Sequence, residues 1–225
     1  MSPEDLSAVW ITVQLALSAT CVLVVVGAPL AWWLSRSRTW LKPPVEAIVA
    51  MPLVLPPTVL GFYLLILLSP SSTLGGWFVA ITGESLTFSF EGLVLASVAY
   101  SLPFMVQPLQ VAFESMDRGL LRSALSLGAT PILAFFTAVV PACKRGFISA
   151  CVLTFAHTIG EFGVVLMVGG NIPGETRVVS VAIYEHVETI SYSNAHVLAA
   201  CMMAISFFVL LVVFGLNRKA PIGVR

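Results

Sequence analysis

The chain has 225 residues, 58% of them hydrophobic and only 10% charged, with a formal net charge of zero and a mean hydropathy of +0.99. A soluble domain carries about a quarter charged residues, so this composition excludes a globule solvated by water. The neutral balance also excludes the basic surface that nucleic-acid binding requires.

The N-terminal "MSPEDL" is acidic, where a secretory signal begins basic, and no small-residue cleavage site closes a short apolar core. The first apolar run is therefore expected to be retained as a span. No charge occurs between Asp5 and Arg36, and about 20 apolar residues cross the hydrocarbon core. On that measure five spans are expected, over 8–34, 47–68, 92–113, 147–168 and 197–216, in one membrane domain covering 1–225. The segment 114–146 separates the third from the fourth.

The second span contains "MPLVLPPTVLG", with Pro52, Pro56, Pro57 and Gly61. Each proline removes a helix hydrogen bond and crowds the preceding turn. The motif reads either as an ordinary kink or as a chain break facing protein or a water-filled cavity. The third span adds Pro103 and Pro108 beside Gln107 and Gln110.

Segment 114–146 is too interrupted to be a span. Leu121, Ala124, Leu125 and Gly128 recur at helical spacing, Asp117 suits an N-cap, and Gly128 suits a left-handed C-terminal cap. Thr130-Pro131 then starts a short second helix that is expected to stop at Pro141. A basic step, Lys144-Arg145, leads into span four. This helix–glycine–helix element is either an amphipathic helix at the lipid interface or a docking element, and its small residues would admit a close partner surface.

Span four carries "HTIGEFG", where Glu161 is the one formal charge inside the expected spans and His157 lies one turn earlier on the same face. A carboxylate at membrane depth points to function by default. The alternative is a carboxylate satisfied by His157, or by backbone donors freed at Gly160 and Gly163, that fixes helix packing. "NIPGETR" follows: Asn171, Pro173 and Gly174 make a turn, flanked by Glu175 and Arg177.

Lysine and arginine gather at Arg36, Arg38 and Lys42, at Arg118, Arg122, Lys144 and Arg145, and at Arg218, Lys219 and Arg225. With five spans all three groups share one side, so the N-terminus is expected outside and the C-terminus in the cytoplasm. The four cysteines, Cys21, Cys143, Cys151 and Cys201, lack metal-ligand spacing and read as small hydrophobes. No GxxxxGK[ST] phosphate loop, serine-nucleophile motif or zinc pair occurs, so neither ATP binding by that route nor covalent catalysis is expected.

The segment 122–141 resembles the "EAA" loop of ABC-importer permeases. Gly128 stands at the motif glycine, Ala124 at the second alanine, and Val139-Val140-Pro141 at the closing element. Arg122 and Ser123 stand where the motif has glutamate and alanine. With "PLVLPPTVLG", "GEFG" and "NIPGETR", the chain is similar over nearly its whole length to the molybdate-transporter permease family.

That resemblance implies an all-α integral membrane bundle of about five transmembrane helices with a cytoplasmic coupling helix, of the type I importer architecture. Arg122, Ser123, Ala124, Leu127, Gly128, Ala129, Val140 and Pro141 would then contact an ATPase. Pro56, Pro57, Gly61, His157, Gly160, Glu161 and Gly163 would form the pathway or gate, and Asn171, Pro173, Gly174, Glu175 and Arg177 the outer loop. The implied partners are a second copy, two cytoplasmic ATPase subunits that bind the ATP and magnesium, an extracytoplasmic molybdate-binding protein and the bilayer. No cofactor is implied in this chain, no metal site and no enzymatic activity, and the implied location is a bacterial cytoplasmic (inner) membrane. Tungstate and sulfate remain alternative cargoes. A proton-coupled secondary transporter built on Glu161 and His157 would show inverted repeats, which the sequence lacks.

Overall fold

The computed structural model describes residues 2–217; the basic tail residues Arg218, Lys219 and Arg225 lie outside the described residues. The described residues form twelve α-helices with one π segment and no strand. Among the described residues three helices are long and apolar enough to cross a membrane, α1 (Pro3–Arg36), α5 (Phe90–Ser115) and α12 (Tyr192–Asn217), or up to five if each of two bent helix pairs is counted as one span.

α1 begins five residues before the expected span because Ser2 and Asp5 form a capping box. The Ser2 hydroxyl accepts from the Asp5 N–H at 3.1 Å, and the Asp5 carboxylate accepts from the Ser2 N–H at 2.9 Å. α1 and α5 make the central pair, with Leu23, Ala28, Ala31 and Leu34 against Met105, Val106, Leu109 and Phe113. Lipid tails are as apolar as leucine, so close packing through small residues holds such helices together. A Cβ on Gly27 would lie 2.9 Å from Met105 Cγ, and one on Gly146 would lie 2.3 Å from Ala112 Cβ.

The second expected span is not continuous. It divides into α2 (Lys42–Val54) and α3 (Pro57–Leu68), bent by 114°. A residue before proline is driven out of the helical region, and the doublet applies this twice in succession. Leu55 (φ −70°, ψ 137°) and Pro56 (φ −55°, ψ 134°) are both extended, and Pro57 restarts the helix at its first position. The isolated prolines Pro29, Pro52, Pro103 and Pro108 stay inside helices.

The fourth expected span is broken too. α9 (Lys144–Ile159) stops at Gly160, and α10 (Gly163–Gly169) resumes after Phe162. No proline causes this; its origin is tertiary. Two further short helices appear between spans, α4 (Thr73–Thr82) and α11 (Val179–Glu188), where the sequence patterning had marked only connecting segments.

The segment between α5 and α9 holds α6 (Arg118–Ser126) and a composite helix, Pro131–Ala142. The latter comprises α7 (Pro131–Ala134), a π segment (Phe135–Val139) and α8 (Val140–Ala142). It therefore runs through Pro141 rather than stopping there. In the π turn the Val140 N–H donates to the Phe135 carbonyl, one residue further back than in an α-helix. That shift of register accommodates the N–H that Pro141 lacks.

Candidate functional site

The two chain breaks meet. A Cβ on Gly163 would stand 2.9 Å from Pro57 Cβ and 3.4 Å from the Thr58 nitrogen. One on Gly61 would stand 2.9 Å from Met167 Cβ and 3.1 Å from Val164 Cα. α3 and α10 thus interlock through the two glycines, and Leu60 and Leu64 pack with Val164 and Val168 beside Ala96 of α5.

Glu161 sits in the second break, 3% exposed. Its carboxylate accepts from Ser97 Oγ and Ser101 Oγ, one to each oxygen, both at 2.6 Å. Such lengths are typical of a hydroxyl donating to a carboxylate. Ser101 also lies 2.8 Å from His157 Nδ1 and 2.9 Å from Thr158 Oγ1. A serine hydroxyl has one proton and two acceptor lone pairs. With that proton donated to Glu161, Ser101 accepts from Thr158 and from His157, which places a proton on His157 Nδ1. The imidazole is stacked on Phe104 with ring centroids 3.9 Å apart, and Nδ1 is 3.5 Å from Glu161 Oε1.

The backbone of the break is held from the side. Ser180 Oγ of α11 donates to the Glu161 carbonyl, and the Glu161 N–H reaches the Thr158 carbonyl at 3.3 Å. The sequence reading offered His157 or backbone donors at Gly160 and Gly163 as partners for the carboxylate; its hydrogen-bond donors are instead two serines of α5, and it lies in a break rather than in a regular helix. A cleft of about 490 Å³ opens beside it, lined by Pro57, Thr58, Tyr100, His157, Gly160 and Glu161 among others. Sequence reasoning missed Ser97, Ser101, Thr158 and Ser180, although Ser97 and Ser101 stand four apart and so share a helix face.

At the N-terminal end of the bundle the "NIPGETR" turn is a clasp. Gly174 has φ +81°, while Asn171, Pro173 and Glu175 are exposed. Arg177, read from sequence only as a flank of the turn, is 4% exposed. Its Nη1 and Nη2 each lie 3.1 Å from a carboxylate oxygen, of Glu4 and Glu185 respectively. Asn171 Nδ2 donates to Glu185 at 2.8 Å, His186 Nε2 meets buried Asp5 at 2.9 Å, and the Val179 N–H donates to Thr12 Oγ1 at 2.9 Å. The start of α1 is thereby tied to the loop and to α11, through Asp5, Thr12 and His186, which the sequence did not single out.

At the opposite, basic end, Asp117 accepts from the Gly119 N–H at 2.8 Å and caps α6. Gly128 has φ +88°, and its N–H donates to the Leu125 carbonyl at 3.0 Å. Thr130 Oγ1 accepts from the Leu133 N–H at 3.3 Å ahead of Pro131. Leu121 packs into the core and Ala124 is half-buried, so the expected apolar face turns partly inward. Arg122, Ser123, Leu125, Leu127 and Gly128 are exposed, Ala129 and Val140 half-buried, and Pro141 exposed. Lys42 ties this end of α2 to α5, 3.4 Å from Glu114 and 3.6 Å from Glu46.

An all-helical bundle with long apolar helices, interlocked broken spans and a glycine-hinged handle is the architecture of a membrane permease. The chain belongs to the family of binding-protein-dependent transport system inner membrane components, whose model matches residues 24–220. It is thus a transport component of an inner membrane and not an enzyme. It is 52% identical over 218 residues to the "Molybdenum transport system permease protein ModB" of Azotobacter vinelandii, covering 97% of this chain and 96% of that one. It is 31% identical over 211 residues to a "Probable sulfate transport system permease protein cysT" of Chlorella vulgaris, covering 94% and 79%. A bacterial ABC transporter involved in the import of alginate superposes with a TM-score of 0.72 at 17% identity, over 97% of this chain and 80% of that one, a likeness of fold.

Proposed function

We propose that this chain is the membrane-spanning subunit of an ATP-driven importer for molybdate. The observation that carries the reading is the 52% identity to a molybdenum permease across 97% of the chain. Two copies pair about a twofold axis, because one copy's few spans cannot enclose a pathway. An extracytoplasmic binding protein delivers the oxyanion, and two cytoplasmic ATPase subunits bind ATP and magnesium, so that this chain itself needs no cofactor.

In this reading the basic end faces the cytoplasm and the N-terminus faces outward. Arg122, Ser123, Leu127 and Gly128 meet the ATPase, with Ala124, Ala129, Val140 and Pro141 supporting them. The interlocked breaks at Pro56, Pro57 and Gly61 and at Gly160, Glu161 and Gly163 form the gate, with His157 packed on it. Glu161 is not a cargo ligand: both its oxygens are engaged by serines, and a carboxylate repels a dianion. Its part is to hold the break that lets α10 move as a unit separate from α9. The exposed turn of Asn171, Pro173, Gly174 and Glu175, anchored by Arg177, faces the binding protein.

The 31% identity to a sulfate permease supports sulfate as the second reading. The test is uptake by the reconstituted complex in vesicles with molybdate, tungstate and sulfate in competition. ATP-dependent molybdate uptake that excess sulfate leaves intact is the expected result. Uptake that sulfate competes away would transfer the assignment to sulfate, and uptake without ATP would remove the importer reading altogether.

A further inference from the structure

A dianion that passes the interlocked breaks meets a fixed negative charge. Both oxygens of Glu161 accept hydrogen bonds, from Ser97 and from Ser101. That is the pattern of an ionised carboxylate, which is an acceptor only. Its side chain is 0% exposed, whereas that of His157, one turn earlier, is 20% exposed. Both residues border the cleft of about 490 Å³ beside the break, together with Thr58 and Tyr100. Repulsion between this carboxylate and an anionic cargo is strong there, because the surroundings have a low dielectric.

The two nitrogens of His157 are not equivalent. Nδ1 lies 2.8 Å from Ser101 Oγ and carries the proton, because Ser101 has given its own to Glu161. Nε2 has no hydrogen-bond partner among the described residues and is not one of their buried unpaired atoms, so its lone pair opens to the cleft. A proton arriving through the cleft therefore adds at Nε2. The product is an imidazolium whose Nδ1 is 3.5 Å from Glu161 Oε1, close enough for an ion pair. The ring need not move to make it. Phe104 is stacked on it with centroids 3.9 Å apart and Tyr100 lies 4.8 Å away, and aromatic faces attract a cation.

Among the described residues no other formal charge faces this ring. α9 presents Glu161, and α5 presents Tyr100, a phenol uncharged at neutral pH. α3 and α10 contain no acidic or basic residue. α1 has none between Asp5 and Arg36, and α12 has none from Val197 to Asn217. Glu185 and His186 of α11 are engaged in the clasp at the N-terminal end, with Asn171 and Asp5. We propose that His157 is the charge-compensating residue of the gate. Protonated at Nε2, it takes the His157–Glu161 pair from one net negative charge to none, and the dianion passes more readily. This role rests on the importer reading above and adds to it a dependence of transport on pH. His157 acts through Glu161 and does not touch the cargo; the proton sets the charge of the gate, while ATP remains the driving force.

The experiment uses the intact complex, with its ATPase and binding protein, in vesicles buffered alike on both faces so that no proton gradient exists. Molybdate taken up per ATP hydrolysed is the readout, which separates the gate from any pH dependence of the ATPase. In wild type it is expected to rise about fivefold as the pH falls from about 8 to about 6, the interval in which an imidazole gains its charge. His157→Asn keeps a donor for Ser101, and His157→Gln keeps bulk over Phe104; both are expected to flatten the profile. Glu161→Gln is expected to flatten it as well, because it removes the charge to be compensated. Where neither His157 variant folds, the wild-type profile and Glu161→Gln decide between them. A flat wild-type profile would overturn the role, as would a wild-type slope kept by any of these variants at an unchanged melting temperature, and either result leaves the importer reading intact. Absence of ATP-dependent uptake at every pH would remove the importer reading, and this role with it.

Discussion

Gly163 and Pro57, the first residues of two different restarted helices, are pressed together so closely that a Cβ on the glycine would lie 2.9 Å from the proline Cβ. Neither helix break stands by itself: each supplies the surface on which the other is seated.

Gly163→Ala is therefore expected to force α3 and α10 apart. Overpacking of this kind costs about 1–3 kcal/mol, and the clashing atom, Pro57 Cβ at 2.9 Å, belongs to a ring that cannot rotate away. Gly160→Ala is the control, since its Cβ would meet nothing nearer than the His157 carbonyl oxygen at 3.6 Å. Thermal unfolding of the purified protein should show a lowered midpoint for Gly163→Ala and little change for Gly160→Ala. Equal midpoints would mean that the two breaks are not mutually supported.

Glu161→Gln replaces one accepting oxygen with an amide donor, so that a serine hydroxyl which donates to the carboxylate must turn to accept from the amide and loses the acceptor for its own proton. A buried group left mispaired costs about 1–3 kcal/mol. The variant should melt lower and alter basal ATP hydrolysis of the assembled complex, because the break between α9 and α10 loses its anchor. Unchanged melting together with unchanged hydrolysis and uptake would leave the carboxylate with no gating role. Ser97→Ala, which removes one of two donors, should have a smaller effect in the same direction.

Gly128→Val separates backbone strain from contacts within the chain. At φ +88° a β-branched residue is strained by about 1–2 kcal/mol, while nothing lies within 4 Å of the site of its Cβ. Insertion and folding of the spans should survive. Loss of ATPase attachment in a pull-down, with loss of ATP-driven uptake, is the expected outcome. Full attachment with normal uptake would make the handle a passive interfacial helix.

Arg177→Ala should loosen the N-terminal clasp by about 1 kcal/mol, since the exposed carboxylates of Glu4 and Glu185 lose their common donor and each such pair contributes about 0–1 kcal/mol. Arg177→Lys should recover only part of this, because an ammonium cannot reproduce the fork that reaches both carboxylates. Glu4→Gln should matter less, as Glu4 is 63% exposed and an exposed ion pair contributes about 0–1 kcal/mol. Melting midpoints of the three variants in one detergent test the order, and an Arg177→Ala midpoint equal to wild type would sink it.

The sequence by itself determined the solvent, the long apolar helices and the local punctuation. These are matters of composition and of neighbours along the chain. Asp117, Gly128 and Thr130-Pro131 do what their side chains dictate within a few residues, and the Pro56-Pro57 doublet contains its own reason for breaking α2 from α3. Even so, the length of the bend was not legible there, nor was the survival of Pro141 inside a helix. The break at Glu161 needed the tertiary structure. Its causes are Ser97 and Ser101 on α5, Ser180 on α11 and Pro57 on α3, all remote in sequence, and a buried carboxylate stays in a break only where distant donors converge on it. Arg177 shows the same division. One arginine in a turn looks like a solvated charge until folding brings Glu4, 173 residues away, to one end of its guanidinium. Local rules set where the chain can turn; only packing decides which turns meet.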